Sequence, residues 1–421
     1  MSEPEPAVTA APSHRLRRMT GRDPHEQNRV ATPLELLFDL TFVIAFGLSA
    51  AQLADLLADG HVGAAVAGFA FSTFGVSWAW INFSWFASAY DTDDWLYRLT
   101  TMLQMIGVIV LALGIPPIYS SIAAGEHVDN RIAVAGYVVM RLAMVAQWLR
   151  AAAADPVRRR TCVTYAVTIT AAQIGWIAAI FVHTSVPVTF TVYAVLVLVE
   201  FAGPWYAERC RGVTPWHPHH IAERYSLLVI IALGEGVVGT VATLSAVVGE
   251  HGWTLEAALV ALAGMALTFG LWWTYFVVPA APALHARPER AFGFGYGHIV
   301  IFGAIVATGA GLHTAAIYLE GHSRLSAPQT LLAVAVPVGV YILAIFAMYA
   351  YLVGTFDRAH LAMVSASMAG LAVAVGATAA GAPMPVGLLL VNLAPLVVVV
   401  GYELGGWHTG SQRGDGAASA P

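Results

Sequence analysis

The chain has 421 residues, of which 58% are hydrophobic and only 11% are charged, and its mean hydropathy is +0.70. Soluble domains carry about 25% charged residues, so the composition excludes an ordinary soluble protein. It indicates an all-α polytopic membrane protein, so we expect the lipid bilayer to be a partner of the chain. The net charge of -5 points to no nucleic-acid partner, and membrane orientation depends on where the basic residues lie, not on net charge.

Two terminal segments frame the apolar part of the chain. Residues 1–32 are rich in Pro, Ala, Arg and Ser and predict a disordered cytoplasmic arm, and residues 406–421 predict a similar tail. About twelve stretches between them are long and apolar enough to be transmembrane helices. They cover residues 34–54, 62–86, 99–118, 131–150, 161–183, 187–204, 222–246, 254–278, 294–318, 328–352, 357–378 and 383–403.

Arginine placement predicts the orientation of these spans. With a cytoplasmic N-terminus, seventeen of the twenty basic residues lie on the cytoplasmic side, Arg131 and Arg324 lie outside, and Arg141 lies within a span. This positive-inside bias favours cytoplasmic N- and C-termini and an even number of spans. Cys162 and Cys210 lie beside cytoplasmic arginine-rich loops, so no disulfide is expected.

The two halves of the chain are weakly similar. FGVSWAWINF (residues 74–83) is similar to FGLWWTYFVV (residues 269–278), and an acid followed by glycine and tryptophan recurs from Glu200 and from Glu403. We therefore expect two parallel six-helix repeats, residues 33–205 and 221–405, joined by a cytoplasmic linker of residues 206–220. Transporters built from such repeats bind their substrates between the halves, near the middle of the membrane.

The first span carries two carboxylates. Glu35 and Asp39 are four residues apart and lie on one helix face, one turn apart. Such close like charges suit a proton or cation site. Acids in the first turn of a helix also interact favourably with the helix dipole. For Glu35 this helix-capping role and a role in a proton or cation site are equally well supported. Asp39 lies beyond the first turn in an apolar run, so we favour a functional role for it.

Three more acids lie in the loop after the second span. Asp91, Asp93 and Asp94 are followed closely by Arg98. Their oxygens could bind a cation, or could pair with Arg98 and with basic residues of neighbouring loops. The alternative is a solvated turn with aspartate helix caps.

Arg141 and Glu235 are expected at a comparable depth near the middle of the membrane. An unpaired arginine there costs about 2.5–3.5 kcal/mol or more. We therefore expect Arg141 and Glu235 to face a common polar cavity and to pair, either as part of a functional site or as a structural ion pair. Glycines beside Glu235 permit close helix approach or a local break in the helix.

The seventh span opens with a run of ionisable residues: His217, His219, His220, Glu223 and Arg224. No cysteine assists the histidines, so no metal site is predicted. His220 precedes Glu223 by three residues and could pass protons to it. The alternative is a contact with the N-terminus of the helix.

Gln104 and His298 lie within other spans and could line a polar cavity. A single buried His or Gln more often bonds the backbone of a neighbouring helix. The sequence contains no phosphate-binding glycine loop, nucleophile elbow or His-Glu-x-x-His motif. It therefore predicts no cofactor and no familiar soluble-type enzyme mechanism.

Three segments carry a family resemblance. They are TPLELLFDLTFV (residues 32–43), YDTDDWLYR (90–98) with MLQM (102–105), and HIAERYSL (220–227) with LGE (233–235). In order and spacing they resemble the bacterial low temperature requirement protein A (LtrA) family, although Ser226 stands where glycine is expected. The resemblance implies a multi-pass protein of the bacterial inner (plasma) membrane, linked by name to growth in the cold. It implies no substrate.

The residues favour a proton-coupled secondary transporter or permease of a small solute or ion. Asp39, Glu235, Glu223 and His220 would titrate, while Arg141 and Arg224 would balance charge or bind an anion. The alternatives are a membrane-embedded enzyme or lipid-handling protein that uses the acids of the cytoplasmic face, and a non-catalytic sensor or scaffold.

Overall fold

The computed structural model describes residues 16–26 and 29–404, without the side chains of residues 250 and 251. Within these residues the chain forms helices and no strands. Twelve helices of the described chain are long and apolar enough to span a membrane, the number that the sequence predicts. The helices are α1 (Pro33–Ala58), α2 (Val62–Tyr90), α3 (Trp95–Leu113), α4 (Ile115–Ala123), α5 (Arg131–Ala154), α6 (Arg159–Ile180), α7 (Val186–Arg211), α8 (Pro218–His251), α9 (Leu255–Phe276), α10 (Ala280–Ala286), α11 (Ala291–Leu319), α12 (Ala327–Val353), α13 (Arg358–Ala379), α14 (Met384–Val391) and α15 (Leu393–Leu404).

Three spans are broken helices. The third is α3 with α4, the eighth is α9 with α10, and the last is α14 with α15. The break before α15 has a local cause, because Pro395 has no N–H to donate to the helix ladder. The Asn392 side chain offsets part of this loss by donating to the Leu388 carbonyl at 3.1 Å.

The two halves of the chain meet where α1 and α2 pack against α8 and α11. Most residues of α11 are buried. It approaches its neighbours closely: a Cβ on Gly239 of α8 would lie 2.4 Å from the Gly309 carbonyl oxygen, and one on Gly311 would lie 2.2 Å from the Ala333 carbonyl oxygen of α12. These backbones touch directly, as small residues allow in membrane proteins.

The predicted arm of residues 1–32 is wrong for its described part. Residues 16–26 and 29–32 lie across one end of the bundle, where Met19 is fully buried and the Arg22 N–H donates to the Ala89 carbonyl at 2.9 Å. We refer to this end, which also carries Arg158 and Arg209, as the arginine-rich face. The predicted linker of residues 206–220 is shorter than expected, because α7 ends at Arg211 and α8 begins at Pro218. Residues 1–15 and the predicted tail lie outside the described residues.

Candidate functional site

The start of α1 places two carboxylates inside the bundle. Thr32 caps the helix, and its N–H donates to Glu35 Oε2 at 2.7 Å while its hydroxyl accepts from the Glu35 N–H. This capping box fixes the Glu35 side chain, so the capping interpretation of Glu35 is confirmed. Glu35 and Asp39 are both fully buried.

Arg224 of α8 joins the two acids. Its guanidinium lies 3.0 Å from Glu35 Oε1 and donates to Asp39 Oδ1 and, at 3.3 Å, to the Ser84 hydroxyl. The Trp80 indole also donates to Asp39 Oδ1, at 2.6 Å. Asp39 is therefore held from α2 and α8 at once, in a site with no exposed surface.

The same cluster continues toward the arginine-rich face. His220 Nε2 lies 3.1 Å from Glu35 Oε1. Arg29 of the N-terminal segment lies 3.7 Å from Glu35 and 3.6 Å from Asp91. Burial, with Glu35 nearby, raises the pKa of Asp91 to about 6 against the opposing effect of Arg29. We define the buried cluster as Glu35, Asp39, Asp91, Arg29, Arg224 and His220.

The buried cluster has more acid than base. Its three carboxylates face two buried guanidinium groups. Arg22 also lies 3.9 Å from Asp91, but it is paired with Glu26 at 2.7 Å, so these two charges cancel. The cluster therefore carries one negative charge in excess while His220 is neutral. Asp39 Oδ2 and His220 Nδ1 are buried and have no hydrogen-bond partner among the described side chains. An uncompensated charge in an apolar interior is costly, and a bound proton on one of these groups removes it.

The other loop acids have structural partners. Asp93 pairs with Arg98 at 2.8 Å on the surface, and Asp94 caps α3 by accepting from the Tyr97 N–H at 2.9 Å. Burial alone would raise the pKa of Asp94, but hydrogen bonds from Arg150 and from two backbone N–H groups lower it to about 2. The aspartate-cap interpretation is confirmed for Asp94, whereas Asp91 belongs to the buried cluster.

Glu223 lies outside the buried cluster, and among the described residues it makes no contact with His220. Its carboxylate accepts from the Ala31 N–H at 3.1 Å and so ties the N-terminal segment to α8. The expected proton relay from His220 to Glu223 is therefore replaced by a contact of His220 with Glu35.

The expected pairing of Arg141 with Glu235 is wrong. Arg141 donates to Glu200 of α7 at 3.2 Å and lies 4.9 Å from the centroid of the Tyr137 ring. The indoles of Trp78 and Trp176 donate to the same carboxylate, at 2.8 and 3.2 Å. This buried ion pair links α2, α5, α6 and α7 inside the first half, because Glu200 supplies the acid that Arg141 needs.

Glu235 lies alone in the contact between the halves. It is 8% exposed, and a Cβ on Gly47 of α1 would lie 3.2 Å from its Oε1. No side chain or backbone group among the described residues donates a hydrogen bond to its carboxylate or forms an ion pair with it. It lies eleven residues beyond Arg224, or about 16 Å along α8. Asp39, Arg141 and Glu235 therefore do not meet in one pocket, contrary to expectation.

The two singly placed polar residues bond to neighbouring groups. The Gln104 amide donates to Gln147 at 3.0 Å, and His298 bonds the Tyr275 hydroxyl at 2.9 Å and the Phe294 carbonyl at 2.7 Å. These contacts join helices and hold no cavity open. Within the described residues no group of three His, Cys, Asp or Glu side chains could hold a metal ion.

A cavity of about 610 Å³ lies at the arginine-rich face. One wall is α2, and the others are α6, α7 and the beginning of α11. Trp78 lies at the inner end of the cavity. It precedes the end of α2 by twelve residues, so the cavity reaches about 18 Å into the bundle along this helix. Trp78 also donates to Glu200, so the cavity ends at the buried Arg141–Glu200 pair. The cavity and the buried cluster lie on opposite faces of α2.

Several of these residues were not recognised in the sequence. Arg29 lies in a segment of low hydropathy, and Glu200 served only to align the two halves. Trp78 and Trp80 lie in an aromatic run that is typical of any buried helix. A charge count could have found Glu200, because each buried arginine needs an acid, but spacing does not say which acid.

Fold and site together define a multi-pass membrane protein. It has twelve helices long enough and apolar enough to span a membrane, and a buried cluster of ionisable residues between its halves. The chain matches the family described as Bacterial low temperature requirement A protein (LtrA) over residues 30–395. It therefore belongs to the LtrA family, and the resemblance found in the sequence is confirmed. It is 26% identical over 304 residues to Uncharacterized protein RA0937 of Rhizobium meliloti (strain 1021), covering 68% of this chain and 69% of that protein. No solved structure matches it.

Proposed function

We propose that this protein is a proton-coupled secondary transporter of a small solute, and that the buried cluster holds the coupling proton. The charge count carries the proposal: three carboxylates and two arginines are buried together, so the cluster is neutral only with one added proton. Such intramembrane acids are costly and mark ion pathways in membrane proteins. A proton that binds and leaves this cluster would change its charge and so the packing of α1, α2 and α8.

The cavity supports a substrate route. It lies beside α2, whose opposite face carries the Trp80 and Ser84 contacts to the buried cluster. Trp85 connects the two sides, because it lines the cavity and donates to the Tyr225 hydroxyl, next to Arg224, at 3.0 Å. A ligand that moves Trp85 would therefore act on the helix segment that carries Arg224.

Two parallel six-helix repeats fit this function. In the first half Trp78 donates to Glu200 at 2.8 Å, and at the aligned positions Trp273 donates to Glu403 at 3.2 Å. The neighbouring pairs α1–α2, α3–α5 and α5–α6 also correspond to α8–α9, α11–α12 and α12–α13. We assign residues 33–205 and 221–405 to the repeats, with both termini in the cytoplasm of a bacterial cell and the spans in its inner membrane.

Glu235 is the second proton site in this proposal. Its carboxylate is unpaired, lies against Gly47 of the other half and is about 16 Å further into the bundle than Arg224. A proton that leaves the buried cluster would need such a group to cross the middle of the membrane. Arg141 and Glu200 would keep the inner end of the cavity closed through Trp78.

The Asp39→Asn variant tests the charge count. With Asp39 neutral, two carboxylates face two arginines, so the variant should fold while the extra proton is lost. In infrared difference spectra of the purified protein between pH 5 and pH 8, Asp39→Asn should lack part of the protonated-carboxyl signal of the wild type. The signal that remains should come from Glu235 and should be lost when Glu235→Gln is added. In proteoliposomes, a solute that drives proton uptake by the wild type should drive none in the variant.

The matched control is Asp129→Asn, which removes a partly exposed loop acid paired with Arg131. It should leave both measurements unchanged. The proposal fails if Asp39→Asn keeps the whole protonated-carboxyl signal and the proton uptake of the wild type. Loss of both in Glu235→Gln, with Asp39→Asn unaffected, would move the coupling proton to Glu235.

A further inference from the structure

Seven of the residues that line the cavity are Trp, Tyr or Phe, and two pairs of them pack ring against ring. Trp148 and Tyr165 stack with ring centroids 4.1 Å apart and planes 1° apart, and Trp85 meets Trp216 edge to face at 5.0 Å. Indole and phenol rings offer flat, rigid surfaces that bind planar apolar groups. A volume of about 610 Å³ lies within the range of sites for organic molecules.

The rim of the cavity is basic on its α6 and α7 side. The acids on this side are Asp155 and Glu208. The five arginines there are Arg158, Arg159, Arg160, Arg209 and Arg211. Arg158 and Arg209 line the cavity, and Glu289 is the acid on the opposite wall. Five positive and three negative charges leave an excess of two positive charges at the rim.

Both acids on the basic side already have donors. Asp155 accepts from Arg158 at 3.2 Å. Glu208 accepts from the Tyr165 hydroxyl at 2.9 Å and from the Thr214 N–H and hydroxyl at 2.9 and 2.7 Å. Arg209 has no acidic partner among the described residues. Its guanidinium is therefore available to an anionic group from outside the chain.

We propose that this cavity binds a water-soluble organic anion with a flat aromatic body. The body would lie between the Trp85–Trp216 and Trp148–Tyr165 pairs, and its carboxylate would bind Arg209 at the rim. The binding site stands on its own geometry, and only the statement that this anion is the transported solute rests on the proposed function. Arginine binds carboxylates in a planar, two-bond geometry, which matches a flat aromatic acid.

Calorimetric titration of the full-length protein in detergent micelles tests this proposal, with empty micelles as the blank. The probes are 2-naphthoate, 2-naphthylmethylamine and 2-naphthalenemethanol, which share a ring system and differ in charge. We expect 2-naphthoate to bind about tenfold or more tightly than the amine, as one charge-assisted contact supplies. Trp216→Leu should weaken all three probes, because it removes part of the aromatic wall.

Arg209→Gln and Arg159→Gln form the matched pair of variants. Both remove one charge from the same side of the rim, but Arg159 does not line the cavity. Arg209→Gln should weaken 2-naphthoate about tenfold and leave the alcohol unchanged, whereas Arg159→Gln should change 2-naphthoate less than about threefold, as screened surface charges do.

Three results would overturn the assignment. They are tighter binding of the amine than of 2-naphthoate, binding that neither Arg209→Gln nor Trp216→Leu changes, and displacement of 2-naphthoate by phosphatidylglycerol added to the micelles, which would give the cavity to a lipid. Binding of 2-naphthoate without proton-linked uptake in proteoliposomes would leave this site intact and contradict only the proposed function.

Discussion

Arg224 forms ion pairs with two of the three carboxylates of the buried cluster. Its side chain is fully buried and compensates Glu35 and Asp39 together. Arg224→Gln would leave three carboxylates against Arg29 alone. Removing one partner of a buried ion pair typically costs about 3–5 kcal/mol. We expect the variant to give little monodisperse protein and a much lower melting temperature in detergent.

A second substitution should restore part of that loss. Arg224→Gln with Asp39→Asn returns the cluster to the wild-type excess of one negative charge, so the double variant should melt above Arg224→Gln. Arg98→Gln serves as the control, because Arg98 and Asp93 pair on the surface and their contact is screened. An Arg224→Gln protein that melts like the wild type would contradict the role given to this residue.

Individual residues were predictable only where local rules decide. Glu35, Asp39 and Arg224 stand out because ionisable side chains in an apolar run need a partner. Their partners come from distant parts of the chain, such as Arg29 and Glu200, and spacing along one helix cannot identify them. Arg141 shows the limit, since its depth was comparable to that of Glu235 but its neighbours on α7 supplied a nearer acid.

The N-terminal segment is the element whose role sequence composition concealed. Residues 16–26 and 29–32 have no helix, yet Asp91, Asp94 and Glu223 each contact them. Pro24 and His25 reach the mouth of the cavity. Low hydropathy predicts disorder for an isolated chain, but here side chains and carbonyls of the bundle supply the hydrogen bonds that a segment without helix needs.

The attachment of this segment at Asp91 should depend on pH. Asp91 faces Glu35, Tyr97, Arg29 and Arg22, and burial raises its pKa in the folded protein to about 6, above the ordinary value of 3.8. The folded state then binds the proton more tightly than the unfolded chain, so this group stabilises the fold below pH 3.8. That contribution is lost as the pH rises through about 6.

Asp91→Asn should therefore gain melting temperature relative to the wild type as the pH is raised from 4.5 to 7. Thermal unfolding of both proteins in detergent at several pH values measures this difference. Asp94→Asn is the control, because the pKa of Asp94 is lowered to about 2, whereas that of Asp91 is raised. The stabilising effect of Asp94 is constant from pH 4.5 to 7, so the melting-temperature difference between this variant and the wild type should not change over that range. A constant difference between wild type and Asp91→Asn would sink the prediction.

At the scale of the whole molecule, the proposed orientation is open to a labelling test. Cys210 is exposed at the arginine-rich face, whereas Cys162 is buried. A membrane-impermeant maleimide should label Cys210 in everted vesicles and not in intact cells. Arg324→Cys, made in a Cys210→Ala background, should label in intact cells. Labelling of Cys210 from outside would reverse the orientation.

The number of spans was predictable because a hydrocarbon core demands about twenty apolar residues per helix, and that rule needs no tertiary information. The ends of the helices were less predictable. The helices α2 and α7 continue beyond the apolar runs, to Tyr90 and Arg211, because polar residues can extend a helix outside the membrane. The breaks before α4, α10 and α15 depend on packing around glycine and proline, which hydropathy does not report.

The direct backbone contacts of α11 restrict how this protein can move. With no side chains between them at Gly239, Gly309 and Gly311, α8, α11 and α12 cannot slide past one another without separating. Any conformational cycle must then carry these three helices as one rigid block. The boundary with α2 differs, because side chains such as Trp80 and Phe302, with ring centroids 5.8 Å apart, lie between the two backbones there. Relative motion of the halves is therefore expected along this boundary.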